Sequence, residues 1–313
     1  MSFGGVLTGE VTGLPWALVN VLPFNQTVSG PPFGLGVSPA HGTLGRARDR
    51  LLWLAYGAVT TPVKRTYDRA RLEVGLPVSR VPYGTDLMSP WLVLATGCPG
   101  LGETEDRLLA QIHYVGRLPP AGGLPSTAGE SAEAAKRPLV VVTQGTHDID
   151  PDELLRPALA GLADLPVDVL ATTGRRGRTE LGMPVPPNAR IVDLADFAEL
   201  LPHTSVLVGN GGWGGTLAAL GAGVPIVVAP STAADKPQVA KRVARAGAGI
   251  DLRTRKPTAR AVADAVRTVL AESGYRDRAA ELGAELAAMG GPGRAADLVE
   301  QLAATRQPVL RSG

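Results

Sequence analysis

Cysteine is almost absent from this sequence: Cys98 is the only one in 313 residues. No intramolecular disulfide can form, and no zinc cage can be assembled from cysteines. A lone thiol of this kind is read as a buried or loop residue rather than a nucleophile. Aromatic residues make up only 4% of the chain, and none interleaves with the basic stretch from Lys241 to Arg260, where seven Lys or Arg accompany a single Asp. Without stacking partners such a stretch is a solvated helix and loop surface, so nucleic acid is not expected as a partner. The formal net charge is only +2, which implies neither an acidic nor a strongly basic partner. No apolar run approaches the roughly 18 residues of a membrane span. The N-terminus also lacks the basic start of a secretory signal, and a cytoplasmic protein is expected.

What the chain has in quantity is glycine and proline, 39 and 27 residues, beside an apolar fraction of 44% that counts neither. That composition suits an Ala, Val and Leu-rich α/β protein with many turns, and the length allows two domains with ample core. The most informative stretch runs from 205 to 252 and reads as strand, glycine turn, helix, strand, loop, helix, strand. Val206, Leu207 and Val208 stop at Gly209 and Asn210, and Gly211, Gly212, Gly214 and Gly215 open the next helix. Amides at a helix start are unpaired and carry the positive end of the dipole, and glycine lets an anion come close to them. This is how a phosphate site is built, with Asn210 suited to cap the helix. Gly209, Gly211 and Gly214 also satisfy G-x-G-x-x-G, a weak motif taken alone. In a dinucleotide fold that fingerprint follows the first strand, and an acidic residue closes the second. Here the turn follows about the fourth strand of its half, and the next strand ends in Pro230 and Ser231. A purely structural glycine turn is the other alternative.

Asn-Gly-Gly-Trp-Gly-Gly (210 to 215), Ala-Gly-Val-Pro (222 to 225), Asp-Lys-Pro (235 to 237) and Gly-Ala-Gly-Ile (247 to 250) together resemble the donor-binding half of family-one glycosyltransferases. Within that family the likeness is to bacterial enzymes that glycosylate macrolides and other natural products, including those of antibiotic biosynthesis. Val141 to Thr146 resembles the first donor-domain strand and nucleotide loop, and Asn188 to His203 the base-binding segment. GLPWA (13 to 17), PPFG (31 to 34), GLP (75 to 77) and HYVG (113 to 116) extend the resemblance over nearly the whole chain. It implies two Rossmann-like α/β domains of the GT-B type, the C-terminal one complete and the N-terminal one partial. It also implies a UDP- or TDP-hexose as co-substrate, a small lipophilic acceptor such as a polyketide aglycone, inversion, and no cofactor or metal. No Asp-x-Asp is expected at the donor pocket.

The expected linker follows from composition, and the roles of the domains on either side from the resemblance. Residues 1–116 form the partial acceptor domain, opening on a short helix that feeds a strand and continuing into a long helix from Leu44 to about Gly75. Residues 117–137 are rich in Pro, Gly, Ser and Ala without apolar periodicity and read as a flexible linker. The donor domain spans 138–295, and a C-terminal helix and tail occupy 296–313. Pro138 to Thr143 is a continuous apolar run of the buried parallel-strand type. Asp150, Pro151 and Glu153 supply an N-cap, a first-turn proline and an N3 carboxylate for a helix buried through Leu155, Leu159 and Leu162 and kinked by Pro157. In full members of the resembled family a leading strand carries a loop histidine that deprotonates the acceptor. None of His41, His113, His147 and His203 holds such a position, so the catalytic residue is unassigned. The missing front is expected from a longer reading frame or a partner chain, and otherwise the protein is a non-catalytic nucleotide-sugar binder.

The candidate donor-binding residues each carry a second reading. Gln144, Gly145 and Thr146 follow a strand end, where open α/β sheets place ligands, with His147 a weaker phosphate candidate. Thr173, with Gly174, ends the neighbouring strand and borders the base. Leu194 and Ala195 lie at the base position, where a larger or aromatic side chain would stack better. Asn210 contacts phosphate or simply caps the helix. Gly211, Gly212, Gly214 and Gly215 form the anion turn, and Trp213 walls the pocket or fills the core. By resemblance Asp235 and Lys236 hold the donor sugar, although Asp before a helix is also an ordinary cap and Lys stands where glutamine is commoner. His203 is read as a packing or surface residue.

Overall fold

The computed structural model describes residues 3–23, 30–32, 37, 42–102, 104–119, 137–145, 150–230 and 235–311. They fall into two compact units. Unit 1 comprises Met1–Pro99, Glu103–Val115 and Gly290–Gly313, and unit 2 comprises Gly100–Gly102 and Gly116–Met289.

In unit 1 a helix α1 (Phe3–Thr12) feeds strand β1 (Ala17–Asn20), and α2 (Gly42–Glu73) leads on to β2 (Leu92–Ala95) and β3 (Ile112–Tyr114). The three strands make a parallel sheet in the order β1-β2-β3. Arg71 near the end of α2 clamps α1 through a two-pronged ion pair with Glu10 at 2.8 and 2.7 Å and donates to the Pro77 carbonyl. That pairing holds the guanidinium well above its ordinary pKa, the Glu10 hydrogen bond being the largest cause. Leu44, Leu51, Leu54 and Val59 on α2 are exposed.

Unit 2 is built on six parallel strands: β4 (Leu139–Thr143), β5 (Asp168–Thr172), β6 (Ala189–Val192), β7 (Thr204–Gly209), β8 (Ile226–Val228) and β9 (Gly249–Asp251). Their order is β6-β5-β4-β7-β8-β9, the doubly wound arrangement in which winding reverses between the first and fourth strands. Valines at 140, 141 and 142 have no exposed surface, which accounts for a run without polar alternation; each such side chain contributes about 2 kcal/mol of burial. The helices are α3 (Leu155–Leu162), α4 (Phe197–Leu200), α5 (Trp213–Gly221), α6 (Lys236–Arg245), α7 (Ala259–Ala271) and α8 (Ser273–Ala288). Leu155, Leu159 and Leu162 of α3 join Val262, Val266 and Val269 of α7 in one core. At Gly161 a side chain would collide with the Ala259 carbonyl, so the two helices lie against each other only because that position is glycine.

Four expectations are corrected. α3 starts at Leu155, not at Pro151, because its first amide donates to the Gln144 side chain rather than to a local cap. Pro157 therefore sits in the first turn, where no helical hydrogen bond is lost, and does not kink the helix. Glu153 is not an N3 carboxylate; it is buried and pairs with Arg255 at 3.0 Å. The C-terminal segment is neither donor domain nor a separate tail. From Gly290 it belongs to unit 1, where α9 (Gly291–Thr305) is followed by a tail whose Val309 and Arg311 amides donate to the Trp91 and Ala110 carbonyls. Most of the 117–137 linker lies outside the described residues; Arg137 at its end is tied to Asp168 by paired hydrogen bonds of 3.0 and 2.7 Å.

Candidate functional site

The carboxyl ends of β4 and β7 flank the point where the winding reverses, the place where doubly wound sheets leave a crevice for ligands. Gly145 follows β4 with φ +71 and Gly211 follows β7 with φ +82. A side chain at Gly145 would meet nothing within 4 Å, and the same holds at Gly214 in the first turn of α5. Two backbone segments thus face open space across the crevice. Gly211 is closed on its other side: a Cβ there would stand 2.9 Å from the Lys236 carbonyl oxygen and 3.2 Å from Val228 Cγ1. The chain turns back at Gly211 and starts α5 at Trp213 with no side-chain cap on Gly212. The first amides of α5 therefore point out of the helix with no intrahelical acceptor.

Asn210 does not cap α5. Its buried amide crosses to β4 and donates to the backbone carbonyl of Gln144. Gln144 is itself spent: its amide nitrogen donates to the Asp150 carbonyl at 2.9 Å and its oxygen accepts from Leu155 N at 3.3 Å. These two side chains hold the rims of the crevice rather than reach into it, leaving backbone groups at its surface. Thr146 and His147 lie outside the described residues. Trp213 is buried, 5% exposed, so it fills the helix-sheet layer more than it walls an opening.

On the β5 side, Thr173 turns inward, its hydroxyl donating to the Arg178 carbonyl at 2.6 Å. Leu194 and Ala195 are half-buried behind β6. The residue that shapes this end was missed in the sequence. Asp193 accepts from Gly177 N at 2.8 Å and Leu194 N at 2.7 Å, pinning the loop after β5 to the segment after β6. Those two amides, Gly177 first, hold its carboxyl below the ordinary range. An aspartate closing a strand before a polar turn was the available signal. Phe197, half-buried, packs 3.6 Å from where a Gly215 Cβ would stand, and it brings an aromatic ring near the base segment that Leu194 and Ala195 lack.

Asp235 stands at the N-cap of α6, yet its carboxylate makes no capping bond. Lys236 is the first residue of α6 and is buried, 8% exposed. Asp148, Asp150 and Asp152 do form an Asp-x-Asp string beside the nucleotide loop, contrary to expectation. Asp150 Oδ1 accepts from Asp152 N and Asp152 pairs with Arg156 at 2.6 Å. Asp148 lies outside the described residues, among which no cluster of three metal-ligating side chains occurs. A cleft of about 980 Å³ between α6 and the 249–255 segment, lined by Lys241, Arg245, Arg253 and Arg255, includes none of the candidate donor residues. No described helix is long and apolar enough to cross a membrane.

Residues 156–302 match the model of the erythromycin biosynthesis protein CIII-like C-terminal domain. Over 308 residues the chain is 36% identical to 4'-demethylrebeccamycin synthase of Lentzea aerocolonigenes, covering 96% of this chain and 72% of that protein. The chain belongs to this family of natural-product glycosyltransferases. UDP-glucosyltransferase B1 of Starmerella bombicola is 44% identical over 157 residues, covering 49% of this chain but 36% of that protein. Among solved structures, the glycosyltransferase VinC in complex with dTDP superposes with a TM-score of 0.66 at 22% identity, covering 96% of this chain and 69% of that one. The parallel α/β units of this glycosyltransferase family member are those of the GT-B fold.

Proposed function

We propose that the protein transfers a hexose from a UDP- or TDP-activated donor to a hydroxyl of a small lipophilic natural product, with inversion and without a metal or cofactor. The observation that carries this reading is the open glycine turn at the reversal point of the sheet, where a side chain at Gly145 or Gly214 would meet no protein atom within 4 Å and the first amides of α5 lack an intrahelical acceptor. A diphosphate seated there meets the positive end of α5, which stabilises the negative charge that grows on it as the glycosidic bond breaks. The nucleoside lies toward β5 and β6, between the loop pinned by Asp193 and the segment at Leu194 and Ala195. Asp235, with its carboxylate uncapped, accepts from sugar hydroxyls. The UDP in one relative's name and the dTDP bound to the VinC neighbour support a nucleoside diphosphate without choosing the base.

A second reading, a nucleotide-sugar binder without transferase activity, is favoured by the described histidines. His113 is buried with Nε2 against the Val309 carbonyl at 2.9 Å, and His203 precedes β7 at the end of the strand remote from the crevice.

Calorimetric titration with UDP, TDP and NAD separates these from a dinucleotide enzyme. Binding of a nucleoside diphosphate without NAD is the expected result, and NAD binding alone overturns it. Incubation with UDP- or TDP-hexose and an aglycone panel, read by mass spectrometry, then decides between transfer and binding.

A further inference from the structure

From Ser205 to Asp235 the sequence contains no Lys, Arg or His. The glycine turn therefore carries no cation of its own, and Asn210, the one polar side chain within it, is committed to the Gln144 carbonyl. The next residue along is Lys236, which is more than nine-tenths buried. Among the described residues its side chain makes no hydrogen bond or ion pair, and neighbouring Asp235 does not pair with it. The Lys236 stem is covered while its ammonium keeps access to solvent. An anion can therefore reach this charge without displacing a fixed counter-ion.

The position of Lys236 indicates where that anion sits. Its carbonyl oxygen and Cβ lie 2.9 and 3.4 Å from the point where a Gly211 Cβ would stand, so the side chain leaves the backbone directly against the anion turn. The positive end of α6 begins at the same residue. We propose that Lys236 is the cationic partner of the donor diphosphate, in place of a polar side chain for sugar hydroxyls. This rests on the glycosyltransferase reading. In the transfer step the acceptor oxygen bonds to the anomeric carbon while the bond from that carbon to the diphosphate oxygen breaks, its electron pair staying on the diphosphate. The acceptor proton leaves to a base. Lys236 gives and takes no proton; its charge offsets the added charge on the leaving group.

The test titrates the wild type, Lys236→Gln and Lys236→Arg with UDP, TDP, uridine and thymidine, with melting curves to confirm folding. Lys236→Gln is expected to weaken diphosphate binding about tenfold or more while leaving nucleoside binding unchanged, and Lys236→Arg to retain most of the affinity. The wild type should lose diphosphate affinity with added salt more steeply than the Gln variant. Lys236→Met provides the same comparison should the Gln variant fail to fold. Equal diphosphate affinity in wild type and Lys236→Gln overturns the proposal and leaves the family reading standing. Equal losses for nucleoside and diphosphate overturn it in favour of a packing role. A loss seen only with the sugar nucleotide overturns it in favour of a sugar contact. A wild type that binds no nucleotide overturns both readings together.

Discussion

The side-chain amide of Asn210 donates to the backbone carbonyl of Gln144, 66 positions earlier, and so joins the carboxyl ends of β7 and β4 across the reversal point of the sheet. Asn210→Ala removes this bond and takes a donor away from the Gln144 carbonyl. Loss of a buried partner costs about 1–3 kcal/mol. The expected outcome is a lower melting temperature together with weaker UDP or TDP binding, read by calorimetry. Unchanged affinity would mean that the turn holds its shape without the bridge.

Gly214→Ala separates the structural from the functional use of the glycine turn. A methyl group there meets no protein atom within 4 Å, and alanine is favoured over glycine in a helix by up to about 1 kcal/mol. Thermal stability should stay level or rise. Diphosphate affinity should fall, because the methyl group fills the space an anion needs. Gly211→Ala is the counterpart: φ +82 and the adjacent Lys236 carbonyl penalise it in the folded state, so both stability and binding should fall.

Asp193 sets a pH dependence. Its carboxyl is held below the ordinary value of 3.8 by the Gly177 and Leu194 amides. A lowered folded pKa contributes stability that is present above the unfolded value and is lost as pH falls through the folded one. Loop closure by Asp193 should therefore be intact from neutral pH down to about pH 4 and fail below it. In Asp193→Asn that acid-induced step should disappear, with the nucleoside more weakly bound at neutral pH. Hydrogen exchange at the Gly177 amide checks the first statement and a nucleoside titration the second.

The Arg71–Glu10 pair belongs to unit 1. Glu10→Gln leaves a mostly buried guanidinium without its carboxylate, and the expected loss is about 2 kcal/mol, below the range for a fully buried pair because the Glu10 side chain is 33% exposed. The melting transition should drop while nucleoside diphosphate affinity, a property of unit 2, stays unchanged. A parallel fall in affinity would show that the two units are energetically coupled.

Much of unit 2 is readable from local pattern. Val140 to Val142 and Val206 to Val208 are uninterrupted apolar runs because both faces of their strands are covered, and the glycines after Gly209 mark a turn wherever the chain meets them. What sequence does not reveal is who bonds to whom over distance. Asn210 has the composition of a cap, yet two intervening glycines carry the chain past the helix start and the amide finds Gln144. The true start of α3 depends on the Gln144 side chain eleven positions before Leu155, and no window centred on Asp150 and Pro151 contains that information. Asp193 and Phe197 gain their places from loops that are remote in sequence, through Gly177 and Gly215. Lys236 is legible as a residue type only; its burial comes from the tertiary packing of α6.

The return of the chain to unit 1 after Met289 sets an order of events during synthesis. Val309 meets His113 across 196 positions, and Arg311 meets Leu108 across 203. Every strand of unit 2 is synthesised before those partners exist, so its sheet can close first. In unit 1 the Trp91 and Ala110 carbonyls and the His113 imidazole meet these partners only once the segment from Gly290 to Arg311 is made. The segment from Gly290 to Arg311 therefore completes contacts of unit 1 only after every strand of unit 2 is present in the chain.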